Sequence, residues 1–316
     1  MHLRVPQSML DGDNAIVVKS STAPLSGTAG TGAGLWAAPG CLLRCTANGV
    51  LYLNEGTLAS PYWTPVDFRA HGLIAYASDF RAGLGKALSD SNDAEVIADG
   101  TGLRVHGQGV AENDSGLTVA FAEGGPVASL VTTDEAAHLA AISQPGTSPQ
   151  FQPDTHGPLV IDAEIAMSAA ITLRSLFLGW LGTIADALDP AVTGSTVTAT
   201  LVQDDLAGVV FDVGFTDADR LYAVHNKSDE AATQDVTAGG RDTGADFPAA
   251  GTYTRLRVEI ARDGVMTVFK DKAQIAQISA ALDVDEEVAP SLYVRSTSAA
   301  VKTMLVKRFA AWGSRA

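Results

Sequence analysis

The feature that most constrains this chain is a period of two that runs through its C-terminal half. Leu159, Ile161, Ala163 and Ile165 fall on one side of a line of residues, and Asp162 and Glu164 on the other. Val197, Ala199 and Leu201 alternate with Thr196, Thr198 and Thr200, and Val209, Phe211, Val213 and Phe215 make a third such row. Thr254, Leu256, Val258 and Ile260 make a fourth, opposite Arg255, Arg257 and Glu259. Successive side chains leave a strand on opposite faces, so these rows predict antiparallel strands with one apolar face packed and one face wet. Asp263-Gly264 joins the fourth row to Val265–Phe269 as a tight turn, and further runs lie at Ser291–Arg295 and Val301–Phe309. The pattern predicts an all-β antiparallel β-sandwich and excludes an α/β fold.

The N-terminal part reads differently. Cys41–Thr46 and Val50–Leu53 flank Ala47-Asn48-Gly49, and an Asn-Gly pair between two apolar runs signals a hairpin, because both residues tolerate positive φ. Cys41 and Cys45 are the only cysteines. Four residues apart on a strand they are about 13 Å apart, beyond the roughly 7 Å that a disulfide spans; they read as free, buried thiols, with no further ligands spaced for zinc. Residues 15–19 suggest a short first strand. Ser20–Gly34 is a nearly chargeless Ser/Thr/Ala/Gly tract, which predicts an extended arm that becomes ordered on a partner. Its Gly30-Thr31-Gly32-Ala33-Gly34 lacks the third glycine spacing and the βαβ context of a dinucleotide loop. Tyr62-Trp63-Thr64-Pro65 closes this region, and the boundary is placed there: residues 1–65 form an arm and small β module, and residues 66–316 a sandwich.

Between them, Gly72–Tyr76 and Gly116–Phe121 read as strands. Thr132 and Glu135 have capping-box spacing, which predicts a two-turn helix over Ala136–Ile142 before Pro145, with His138 on its surface. Lys+Arg 21 against Asp+Glu 36 gives a net charge of −15, which argues against nucleic acid and against an anionic membrane surface as partners. No apolar run reaches the roughly 20 residues of a spanning helix. The N-terminal residues lack a secretory apolar core, so the sequence reads as a soluble protein made in the cytoplasm.

Residues Tyr253–Asp271, with their paired runs around Asp263-Gly264, resemble the back strands of concanavalin A-like (laminin-G-like) jelly rolls, and Gly157–Ile165 with Leu176–Gly182 look like their front-sheet pair. Pro39–Thr57, ending in Tyr62–Val66, is similar to a short β module of tailed-bacteriophage virion proteins, in which a Gly/Thr/Ala-rich arm and small β module precede a displayed sandwich. That resemblance implies a capsid decoration (cement) protein on the virion exterior, assembled in the host cytoplasm. Its expected partners are the major capsid protein and copies of itself, as a homotrimer. The alternatives are a phage adhesin or tail-fibre protein that binds host glycans through the sandwich and, after it, a glycoside hydrolase.

Concanavalin A-like enzymes carry Glu-x-Asp-x-x-Glu along one strand, and no such run exists here. Asp162 and Glu164 alternate onto one face without a third member, and Asp204-Asp205 and Asp283–Glu287 read as acidic loops. There is no Gly-x-Ser-x-Gly elbow, and the histidines at 2, 71, 106, 138, 156 and 225 lack ligand spacing. The expectation is a protein with no catalytic residues, no cofactor and no metal. Asp217, Asp219, Asn226 and Asp229, in loop-like stretches, are the candidates for a glycan or calcium site.

Overall fold

Alternation becomes pairing wherever two rows can exchange backbone hydrogen bonds and bury their apolar faces together. In the computed structural model the described residues are 17–68, 70, 72–81, 86–88, 93–96, 101–108, 115–122, 125–144, 149–169, 174–183, 191–227 and 232–315. The chain divides into two units, residues 1–73 with 314–316, and residues 74–313.

The small unit is a four-stranded sheet in the order Val17–Ser20, Leu42–Cys45, Leu51–Asn54, Trp63–Pro65, with the first pair parallel. The Asn48-Gly49 turn forms as expected, with Gly49 at φ +74, and Leu42–Arg44 pairs with Leu51–Leu53. Neither cysteine forms a disulfide and both are buried, and burial pushes the Cys41 thiol up. The Ser/Gly tract departs from expectation. Described residues 20–36 are folded back on the unit: Gly27 N–H donates to Pro61 O, Gly34 N–H to Leu58 O, and Trp63 Nε1 to Thr31 O. Trp36 packs on Trp63 with ring centroids 6.0 Å apart. Backbone hydrogen bonds and two indole rings supply what the tract's own side chains lack. Residues 1–16 lie outside the described residues. Asn54 is the internal tie of the unit: its amide donates to Ala37 O and Ala38 O, and its Oδ1 accepts from Gly56 and Tyr62 N–H.

The large unit is a sandwich. One sheet runs in the order Ala273–Ile278, Met266–Lys270, Thr254–Ile260, Leu159–Met167, Thr303–Ser314, Gly125–Val131, Ser115–Ala122, Lys86–Leu88, with Leu73–Ser78 also on Thr303–Ser314. The facing sheet runs Asp242–Asp246, Arg220–Asn226, Leu206–Asp212, Arg174–Leu181, Ala289–Ser296, Leu139–Ser143, Arg104–Gly107, Asp93–Val96. Leu159, Ile161, Leu256, Val258, Leu176, Leu178, Trp180, Val209 and Phe211 fill the core between them. Each such side chain contributes roughly 1.5–3 kcal/mol by leaving water. Asp263-Gly264 makes the predicted turn; Gly264 sits at φ +78, and a Cβ there would meet Leu282 O at 2.5 Å.

Two expectations fail in this unit. Leu139–Ser143 is a fully buried strand, not the end of a helix. It pairs on both sides, with Ala289–Ser296 and Arg104–Gly107, and that central position outweighs local helix propensity. Thr133 Oγ1 accepts Glu135 N–H and bonds His138 Nδ1, so the capping-box spacing serves a turn. The predicted wet faces are also largely dry. A three-stranded sheet, Val192–Ser195, Thr198–Leu201 and Thr233–Asp235, packs a second core of Ala199, Leu201, Phe177, Val210, Tyr222 and Tyr293. Phe177, Val210, Tyr222 and Tyr293 come from the face of the eight-stranded sheet turned away from the main core. Asp212 ties the two together, its carboxylate accepting Gly194 and Gly214 N–H.

Candidate functional site

The polar rows of Leu159–Met167 and Thr254–Ile260 meet on the outward face of the nine-stranded sheet. Register places Asp162 opposite Arg257 and Glu164 opposite Arg255. Asp162 is fully buried and accepts from Arg255 Nε at 2.9 Å and Arg257 Nε at 2.8 Å. Burial alone would raise its carboxyl, but the charges of Arg257 and Arg255 override it and hold the group well below the usual carboxylate range. The Arg257 guanidinium lies 5.0 Å from the centre of the Trp312 ring. This arrangement is structural: a carboxylate locked between two guanidinium groups is not a proton donor at neutral pH.

Beside it, Glu164, Tyr253, Thr254, Arg255, Asp271 and Lys272 line a pocket of about 240 Å³. Glu164 is 39% exposed and lies 3.6 Å from Lys307, whose ammonium sits 3.8 Å from the Tyr253 ring centroid. Burial, then the Glu164 charge, pushes the Tyr253 hydroxyl up. Asp271 and Lys272 form a two-residue hairpin between Lys270 and Ala273, at φ +50 and +72. Such a turn normally recruits Asn or Gly, so these residues store strain of about 1 kcal/mol or more each. The Asp271 carboxylate accepts Arg255 N–H and the Thr254 hydroxyl, which holds the strained turn in place. The pocket therefore combines an aromatic ring, two carboxylates, two hydroxyls, a guanidinium and an ammonium on paired strands and a fixed turn.

The residues singled out from the sequence do not converge. Asp217 and Asp219 lie at the start of Arg220–Asn226 and Asn226 at its end, about 20 Å apart on an extended strand. Asp217 belongs with Asp242 and Asp246 around Arg220, at 3.9, 3.3 and 2.9 Å. Asp229 lies outside the described residues. Among the described residues no three His, Cys, Asp or Glu side chains gather to hold a metal. The two acidic loops do come together: burial, then Glu286, Asp283, Asp204 and Asp285, push Asp205 up to about 6. Of the histidines, 2 and 71 lie outside the described residues; His156 Nδ1 accepts Gln152 N–H, and His225 Nε2 meets Arg241. Sequence reading missed Tyr253, Asp271 and Lys272 as a site. The available signal was the bare Asp-Lys pair separating two strand-like runs.

No family model matches the chain, and no curated protein matches its sequence. Its structural neighbours are concanavalin A-like and lectin-like β-sandwich domains. They include the Emp47p carbohydrate recognition domain (TM-score 0.45, 8% identity, 74% of this chain and 99% of that one). Domain 4 of AbnA, a GH43 extracellular arabinanase from Geobacillus stearothermophilus solved with arabinotriose, gives TM-score 0.41 at 15% identity, over 73% of this chain and 94% of that one. Peanut lectin gives 0.41 at 10% identity, over 77% and 97%.

Proposed function

We propose that this chain is a carbohydrate-binding sandwich protein that holds one sugar ring in the Tyr253 pocket. The observation that carries the reading is the composition of that pocket. A sugar ring presents an apolar C–H face and a rim of hydroxyls, and Tyr253 with Glu164, Thr254, Asp271 and Lys272 offers one aromatic surface and fixed donors and acceptors to match. Neither Asp162, neutralised between two arginines, nor Asp271, tied to its own turn, is placed as a general acid, which favours binding over hydrolysis. A glycan array followed by calorimetry on the best ligand tests the proposal. Tyr253→Ala is expected to weaken binding by about tenfold; unchanged affinity in that variant, or no glycan bound by the wild type, overturns it.

The small unit favours a second reading, attachment to a larger assembly such as a phage capsid. Residues 1–73 and 314–316 carry 5 Lys+Arg against 4 Asp+Glu, whereas residues 74–313 carry 16 against 32. The near-neutral unit also exposes Val17, Leu25, Leu35, Leu58 and Val66. Co-sedimentation with capsids is the direct check, and a Leu35→Asp variant that still co-sediments would remove this surface from the contact.

A further inference from the structure

Away from the arginine–aspartate tie, two further cations are buried with no carboxylate bonded to them among the described residues. Arg174 opens Arg174–Leu181 in the eight-stranded sheet and pairs with Ser296; it is 4% exposed. Lys302 immediately precedes Thr303–Ser314 in the facing sheet and is 7% exposed. Lys302 shares the inward parity of Met304 and Val306, which lie in the main core, so each sheet sends one cation toward the space between them. Arg174 Nη1 donates to Thr303 O, which places the guanidinium beside Lys302, and its Nε is buried with no acceptor.

Burial pushes both groups down, and the charge of Arg174 pushes Lys302 further; among the described residues no carboxylate acts on either. A charge taken out of water costs several kcal/mol unless it is paired, and a second like charge beside it adds to that cost. The loop leading from Ser296 to Lys302 repeats the pattern. Ser296 Oγ donates within the loop to Ser298 O and Ala300 O and so fixes its shape, while the hydroxyls of Thr297 and Ser298 are buried without partners. The guanidinium N–H and the neighbouring ammonium are both donors. In a chain of net charge −15 this is a local reversal of sign.

We propose that this end of the sandwich, under the Ser296–Lys302 loop, binds a small oxyanion (a sulfate, phosphate or carboxylate group) through Arg174 and Lys302. A planar guanidinium offers a fixed pair of N–H donors to such a group and the ammonium a point charge, so the anion satisfies both and cancels their repulsion. The anion is either a free inorganic ion or the charged substituent of an acidic saccharide. The site shares no residue with the Tyr253 pocket, and Tyr253→Ala is expected to keep it.

Calorimetric and thermal titrations of the full chain with sodium sulfate, against sodium chloride at equal ionic strength, test the site. Saturable heat and a saturable rise in Tm with sulfate alone are expected, and Lys302→Met should lower the affinity by about tenfold or more. Repeating the titration with a sulfated and a neutral oligosaccharide of the same length separates the sources. Tighter binding of the sulfated chain than of inorganic sulfate assigns a saccharide substituent; equal or weaker binding assigns a free ion. No saturable sulfate effect at matched ionic strength overturns the proposal, and so does the same effect in a folded Lys302→Met protein. The wild-type titration decides the matter even if that variant fails to fold.

Discussion

The large unit buries two pairs of cations, and their surroundings differ in one carboxylate. Arg255 and Arg257 share Asp162, which lies within 2.9 Å of both. Arg174 bonds a main-chain carbonyl beside Lys302, and among the described residues neither meets a carboxylate. In the first pair one carboxylate stands between two positive charges and offsets one of them. Among the described residues the second pair has no such carboxylate. Two pairs of cations thus do different work: one ties neighbouring strands on the outward face of the sheet, the other is poised to recognise an anion.

Breaking the compensated pair should have the largest effect. Asp162→Asn removes the carboxylate that Arg255 and Arg257 share and is expected to cost about 3–5 kcal/mol in urea denaturation. A loss under about 1 kcal/mol would mean that the arginines are held by other contacts, and the contrast between the two regions would collapse. The same chemistry predicts the opposite sign at the other end. Lys302→Met, in buffer without oxyanions, should be neutral or stabilising by about 1 kcal/mol, because it removes an uncompensated buried charge. Strong destabilisation there would show a hidden dependence on the ammonium.

The smallest effect sharpens the comparison on the acidic side. Asp205 is raised from 3.8 to about 6 by burial and by neighbouring carboxylates. The folded state therefore holds a proton that the unfolded chain has released, so stability is highest below about pH 4 on this account and falls as pH rises to 6. Asp205→Asn abolishes that fall and should gain about 1 kcal/mol at pH 7, discounted because the group is partly exposed and screened. Asn also tolerates the left-handed backbone that Asp205 adopts at φ +54. A pH profile identical in wild type and variant would show that the acidic loops are fully solvated.

Much of the architecture was legible beforehand because it rests on local periodicity. The strands at 159–165 and 254–260 and the turns at Asn48-Gly49 and Asp263-Gly264 form as read, although the polar rows of those two strands are buried or half-buried and not wet. The failures share a cause. Ala136–Ile142 has helical chemistry, yet the segment is captured between Ala289–Ser296, whose run the sequence does show, and Arg104–Gly107, which it does not announce. Residues 20–36 lack apolar content, yet they are held by hydrogen bonds to residues more than twenty positions away. The candidate site was the least legible part. Glu164 was visible as an outward carboxylate, but its association with Tyr253, Asp271 and Lys272 depends on which strands are neighbours.

The sequence by itself determined that this chain is built of antiparallel strands, where its tight turns fall, and that its surface is acidic. Side-chain alternation and turn stereochemistry act over a few residues and need no knowledge of the rest. Tertiary structure alone decided which charges meet. Asp162 reaches Arg257 across ninety-five positions, and Arg174 comes beside Lys302 across more than a hundred. Electrostatic balance depends on distance in space and on the removal of water, and neither is written in the order of the residues.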